Sequence, residues 1–196
     1  MFEYINIFLK SMFIDNMVFA YFLGMCSYLA VSKKVSTAIG LGIAVTFVQV
    51  ITVPLNYLIY KYVLEAGALS WLDPSLKTMD LSFLNLIVFI AVVATLVQLV
   101  EMIVEKFSPS LYNSLGIFLP LIAVNCAILG GSLFMQLRVD TGTYQNIGHV
   151  ITFGCSAGIG WLIAIVELAA IREKMEYSNV LAPLRGLGIT FILTGL

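Results

Sequence analysis

Long apolar runs, separated by short polar punctuation, dominate the chain: Ser11–Val31, Ser36–Tyr60, Leu81–Val104, Leu111–Leu137, Ile147–Ile171, and Leu187 to the last residue. A helix crossing the hydrocarbon core of a bilayer needs roughly 20 apolar residues, so the first five runs predict membrane spans. The last run, GLGITFILTGL, is too short to cross, and a sixth span there predicts a natural chain that continues past Leu196. Ahead of the first span, FEYINIFLK mixes apolar residues with Glu3 and Lys10, the pattern of a short helix lying in the membrane interface. The predicted fold class is an all-α polytopic membrane protein, one integral domain over residues 1–196 with six transmembrane helices.

The two halves of the chain resemble each other. Phe22–Val31, FLGMCSYLAV, carries Cys26 one hundred positions before Cys126 of GIFLPLIAVNCAILGG, Gly116–Gly131. Placing one cysteine on the other sets Ser11 on Leu111, the starts of spans one and four. STAIGLGIAV, Ser36–Val45, matches SAGIGWLIAI, Ser156–Ile165, at Ser, Ile, Gly, Ile and Ala. Three spans per repeat, about 11–104 and about 111–196, force the halves into opposite orientations. Inverted repeats place their sites at the repeat interface near the midplane, often where helices are discontinuous. Each cysteine lies roughly 22 Å into its span at about 1.5 Å per residue, which in antiparallel halves would separate the thiols. Breaks near Gly24 and near Pro120 or Gly130 would let both approach the midplane.

Composition narrows the class further. At 61% hydrophobic and 11% charged residues the chain cannot cover a soluble core with polar surface. Its formal net charge of -1, with no basic tract, gives no footprint for nucleic acid. The first apolar stretch opens on Glu3 rather than a basic region, so no detachable signal peptide is expected. Lys33, Lys34, Lys106, Arg172, Lys174 and Arg185 fall after spans one, three and five, against Lys10, Lys61, Lys77 and Arg138 on the other side. The bias toward the first group predicts a cytoplasmic location for it, an N-terminus outside, and an external loop over Lys61–Asp80.

Three cysteines inside apolar segments do not form the even, loop-borne set of a secreted disulfide scaffold. They are packing residues or ligands. Cys155 has no counterpart in the first half, where Val35 aligns with it, and reads as packing. For the matched pair Cys26 and Cys126 both readings stay open. As ligands, soft thiolates select iron-sulfur, zinc or copper(I), and a 2Fe-2S cluster commonly takes four thiolates, so two would have to come from a partner protein. Glu101 and Glu167, near the ends of spans three and five, are candidates for an ion path or plain water-reaching acids. His149, the one histidine, reads as interfacial; Asn125 is able to cap a broken helix or to bond a neighbour. The glycines lie in spans and form no dinucleotide fingerprint, so no NADH site is expected on this chain. Inverted repeats with two acids would serve a secondary transporter equally well.

The segments FLGMCSYLAVSKKV, DLSFLN, SLGIFLPLIAVNCAILGG, GWLIAIV and IREKMEYSNVLAPLRGLGITF, in this order, resemble the membrane subunits of the bacterial Nqr and Rnf respiratory complexes. That superfamily holds the D-type and E-type subunits of the sodium-translocating NADH:quinone reductase, Nqr, and the A-type and E-type subunits of Rnf. SKKV, the long loop and REKMEYS resemble the E-type branch of Nqr, with the A-type branch of Rnf and its ferredoxin:NAD chemistry as the alternative. The resemblance implies a pseudo-symmetric pair of D-type and E-type subunits with opposite topologies in the cell inner membrane, the N-terminus here periplasmic. It implies an intramembrane 2Fe-2S cluster shared by the pair, with Cys26 and Cys126 as this chain's ligands and no family role for Cys155. It further implies electrons from NADH through FAD and a 2Fe-2S centre in the F-type subunit, across the cluster shared by the pair, to FMN in the C-type and B-type subunits, then riboflavin and ubiquinone. That flow is coupled to sodium export by a complex that also contains an A-type subunit.

Overall fold

The computed structural model describes residues 2–64, 84–107, 122–123, 125–175, 177 and 187–195. Among these residues it is helical, with α1 Phe2–Leu9, α2 Met25–Val31, α3 Val35–Ile59, α4 Asn85–Phe107, α5 Cys126–Asp140, α6 Ile147–Met175 and α7 Leu187–Gly195. Three stretches, Val35–Leu64, Asn85–Ile103 and Ile147–Met175, are long and apolar enough to cross a membrane. They fall on predicted spans two, three and five. Most of the predicted external loop, the first part of span four with Pro120, and the segment that carries Arg185 lie outside the described residues.

The apolar run Ser11–Val31 is not one helix. α1 continues through Lys10–Ile14 with wider, π-type turns, so the opening helix runs on through Ser11, the predicted start of span one. It closes where the Asp15 N–H donates to the Lys10 carbonyl, 2.8 Å away. Asn16 then fixes the break. Its Nδ2 donates to the carbonyls of Met12 and of Gly160 in α6, both at 3.0 Å, and its Oδ1 accepts from the Val18 N–H at 2.9 Å. Backbone bonds from Phe22 to Val18 and from Leu23 to Met17 carry the chain to Gly24, where α2 begins.

α3 and α6, the pair that contains the internally similar segments, form the centre of the molecule. Small residues let them approach: a Cβ on Gly158 would lie 2.9 Å from the Thr46 Cα, and one on Gly42 3.0 Å from Leu162. Close packing of this kind replaces the hydrophobic effect as the driving force between helices in lipid. Phe153, Trp161, Ala164 and Ile165 of α6 and Leu41, Val45 and Val48 of α3 make the core between them. Outward, Ile43, Phe47, Ile87, Ile90 and Ile103 remain exposed, as lipid or a neighbouring protein would require.

Polar contacts sort the connections to two ends. At one end Arg138 of α5 donates from Nη2 to Asp15 Oδ2 at 2.6 Å and from Nη1 to the Tyr144 hydroxyl at 2.7 Å, with its guanidinium 4.7 Å from the Phe153 ring centroid. Burial pushes the Tyr144 phenol above its usual range while Arg138 pulls it down, so the ring stays protonated beside the cation. His149 belongs to this end too. It is buried between Tyr4 and Tyr144, with Nε2 3.9 Å from Glu3. α1 lies over the start of α6 and covers the imidazole. At the other end Arg172 of α6 donates to the Leu29 carbonyl at 2.9 Å and the Ser32 hydroxyl at 2.7 Å, holding the C-terminus of α2.

Because Arg138 and Asp15 are both mostly buried, Arg138→Met leaves a carboxylate without its cation. We expect a loss of about 2 kcal/mol, read as a lower thermal unfolding temperature. Adding Asp15→Asn to the same chain should recover part of it, since the two changes share one interaction.

Candidate functional site

Two helix starts meet at the cysteines. Gly24 caps α2 with φ +82 and ψ 13, in the left-handed region, and Phe22, two residues earlier, also has a positive φ of 56. A bulky residue with positive φ is an outlier that the surroundings must hold in place. The reversal this produces puts Cys26 in the first turn of α2. On the other side Asn125, extended at φ -71 and ψ 112, caps α5: its Oδ1 accepts the Ala127 N–H at 3.0 Å, and Cys126 is the first residue of the helix.

The break in this second element therefore falls immediately before Cys126. Gly130 and Gly131, the other expected position, lie inside a continuous α5. Their lack of side chains serves close approach, since Cβ atoms there would run into Leu23 and into the Gln49 amide. Of the two roles open to Asn125, capping is the one the structure displays.

The two cysteine segments are joined directly. The Gly24 N–H donates to Cys126 Sγ at 3.0 Å, across 102 positions of sequence. Gly24 is itself enclosed: a Cβ there would lie 2.7 Å from Trp161 Nε1 and 3.0 Å from both the Ala127 Cβ and Asn125 Oδ1. All three cysteines are free thiols, Cys26 exposed and Cys126 half-buried. Cys126 and Asn125 line a cavity of about 290 Å³ whose opposite wall is Ile90, Val93 and Ala94 of α4.

Cys126 sits at the start of the 15-residue α5, where the first backbone N–H groups have no partner within the helix. Two buried donors, Asn125 Nδ2 next to it in the chain and Trp161 Nε1 against Gly24, bond to nothing among the described residues. Sequence reasoning missed Trp161, because GWLIAIV reads only as apolar. Its signal is the indole N–H, which commonly finds a partner when buried. Asn16 was missed likewise, because its partner Gly160 is 144 positions away.

Cys155 is half-buried within α6. Glu101 of α4 is half-exposed and Glu167 of α6 exposed. Among the described residues no group of three or more His, Cys, Asp or Glu side chains is placed to hold a metal ion.

Comparison with known proteins decides the family. The family model described as "Rnf-Nqr subunit, membrane protein" matches residues 4–196. The chain belongs to the Rnf-Nqr family. A relative from Psychrobacter cryohalolentis, named as the E-type subunit of Na(+)-translocating NADH-quinone reductase, is 57% identical over 194 residues, 99% of this chain and 93% of its own. Proteins of the same name from Methylococcus capsulatus, 56% identical over 98% of this chain and 92% of theirs, and Klebsiella pneumoniae, 58% over 99% and 92%, are similar to it across the same extent. The Rnf-Nqr chain is thus a membrane protein whose near relatives are named as subunits of a sodium-translocating oxidoreductase.

Proposed function

We propose that this chain is the E-type subunit of a sodium-translocating NADH:quinone reductase and carries half the ligands of an intramembrane 2Fe-2S cluster. Cys26 and Cys126 would supply two thiolates, and the homologous D-type subunit the other two. The observation that carries this reading is the Gly24 N–H bond to Cys126 Sγ, which links two helix starts that each present a cysteine.

The residues present fit such a group. The thiols are free, Cys26 is exposed where a partner can reach it, and two donors without a partner among the described residues stand at the site, Asn125 Nδ2 next to Cys126 and Trp161 Nε1 against Gly24. Hydrogen bonds to cluster and thiolate sulfurs are a principal means of setting a reduction potential. When bound, a 2Fe-2S cluster supplies a one-electron carrier inside the bilayer. The work of this chain would be to hold it: α2 and α5 present the two cysteines, Gly24 donates to Cys126 Sγ, and α4 supplies the apolar wall across from that thiol.

The rest of the reading is organisational. We place the chain in the cell inner membrane as one domain of six spans in two inverted repeats, with the N-terminus periplasmic. Its partners are the A-, B-, C-, D- and F-type subunits, with FAD, FMN, riboflavin and a further 2Fe-2S centre borne by other subunits, and sodium and ubiquinone handled by the whole complex.

Iron and acid-labile sulfide analysis of this chain co-purified with its D-type partner tests the proposal. One 2Fe-2S per pair is expected, with no comparable iron on this chain purified alone. A pair that binds no iron while supporting quinone reduction on reassembly would refute it.

A further inference from the structure

α3 carries a row of polar side chains where hydrocarbon would be expected. Gln49, Thr52 and Asn56 are all fully buried. At positions i, i+3 and i+7 they fall within about 60° of one helix face and extend over about 10 Å of its length. The row faces α5, where Gly131 makes room: a Cβ there would lie 2.6 Å from Gln49 Nε2. Next along α5, Ser132 Oγ accepts from Asn56 Nδ2 at 2.7 Å. Toward the Arg138 end the row leads to Tyr60, whose hydroxyl donates to Asp140 Oδ1 at 2.5 Å, and Asp140 is exposed. In the other direction it leads to Thr46, whose hydroxyl donates to the carbonyls of Gly42 and Gly158.

The ends of this row are satisfied and the middle is not. Gln49 Oε1 and Nε2, Thr52 Oγ1 and Asn56 Oδ1 have no hydrogen-bond partner among the described residues. Each such group costs several kcal/mol in an apolar medium. Three oxygens aligned on one helix face, all orphaned, describe a place for a guest.

The donor chemistry limits what the guest is. Amide and hydroxyl oxygens are hard ligands, suited to alkali and alkaline-earth cations rather than to softer transition metals. A divalent ion would take carboxylates, and none is present among these side chains. Neutral oxygens alone bind a monovalent cation weakly, as a site that must also release it requires.

We propose that the Gln49–Thr52–Asn56 face of α3, with Ser132, is a transit site for a partly dehydrated monovalent cation moving along the α3/α5 contact toward Asp140. Sodium as the cation rests on the sodium-translocating reading above.

The test uses the assembled complex carrying Thr52→Val in this chain. Valine keeps the shape of threonine and deletes an oxygen that bonds to nothing among the described residues, so the fold should be retained or strengthened. The readouts are the Na+ concentration giving half-maximal NADH:quinone turnover, 22Na+ binding at equilibrium, and iron content. A 5- to 10-fold rise in half-saturating Na+, with weaker 22Na+ binding, normal iron and recovery in Thr52→Ser, is expected. Gln49→Leu should shift it in the same direction. If wild-type turnover depends on Na+ and both Thr52→Val and Gln49→Leu leave half-saturation and binding unchanged, the row holds ordered water only and the transit site is wrong. A wild-type complex indifferent to Na+ would instead overturn the sodium reading on which the site depends.

Discussion

Alanine at Cys126 is expected to strip the intramembrane iron from the assembled complex and cut NADH-to-quinone electron flow by more than about 100-fold, because loss of an outer-shell partner alone commonly costs 10- to 100-fold. Cys26→Ala should do the same. The two positions differ in what else they lose. At Cys126 the Gly24 N–H also loses its acceptor, a further cost of about 1–3 kcal/mol for a donor left unpaired. Cys126→Ser keeps an acceptor for that donor without a thiolate, so it should restore thermal stability while leaving the iron signal lost or altered. Cys155→Ala removes a third thiol from the body of α6 and should leave iron and rate as in the wild type. Full iron and full turnover in either Cys26→Ala or Cys126→Ala would show that these cysteines are not ligands.

The long apolar elements were legible because lipid imposes one simple demand, a run of apolar residues long enough to cross. α3, α4 and α6 follow from it directly. Gly24 was legible as a break because glycine accepts the left-handed conformation at little cost, and the structure uses it so. The same rule failed at Gly130 and Gly131. There glycine serves packing, letting Leu23 and Gln49 approach α5, and only the facing residues distinguish the two uses.

The candidate site was legible in its two cysteines and not in their surroundings. Two cysteines at equivalent positions of two similar segments pointed to one another. That the Gly24 N–H bonds the second thiol, that Trp161 closes over the glycine, and that Asn16 fastens the break to Gly160 are contacts between distant parts of the chain. The cover of His149 is of the same kind, since it comes from α1. Periodicity along one helix carries no record of which residue another helix brings to it.

Gly24→Ala should be among the most damaging single-methyl additions available in this chain. Left-handed backbone costs an L-residue about 1–2 kcal/mol. The new Cβ would also press on Trp161 Nε1 at 2.7 Å and on Ala127 and Asn125 at 3.0 Å, with α5 and α6 both too well packed to yield freely. We expect a loss of about 3 kcal/mol or more, combining that strain with the 1–3 kcal/mol typical of overpacking, and partial loss of the iron because the α2 and α5 starts are pushed apart. Gly142 separates the two contributions. It also has a positive φ, +72, but nothing among the described residues lies within 4 Å of where its Cβ would be. Gly142→Ala should therefore show the backbone cost alone, with iron content unchanged. Trp161→Phe in the Gly24→Ala background should return part of the difference by shortening the opposing ring, a coupling that a double-mutant cycle in thermal stability would measure. Equal effects of the two glycine substitutions on stability and iron would mean that the enclosure of Gly24 does not position the cysteines.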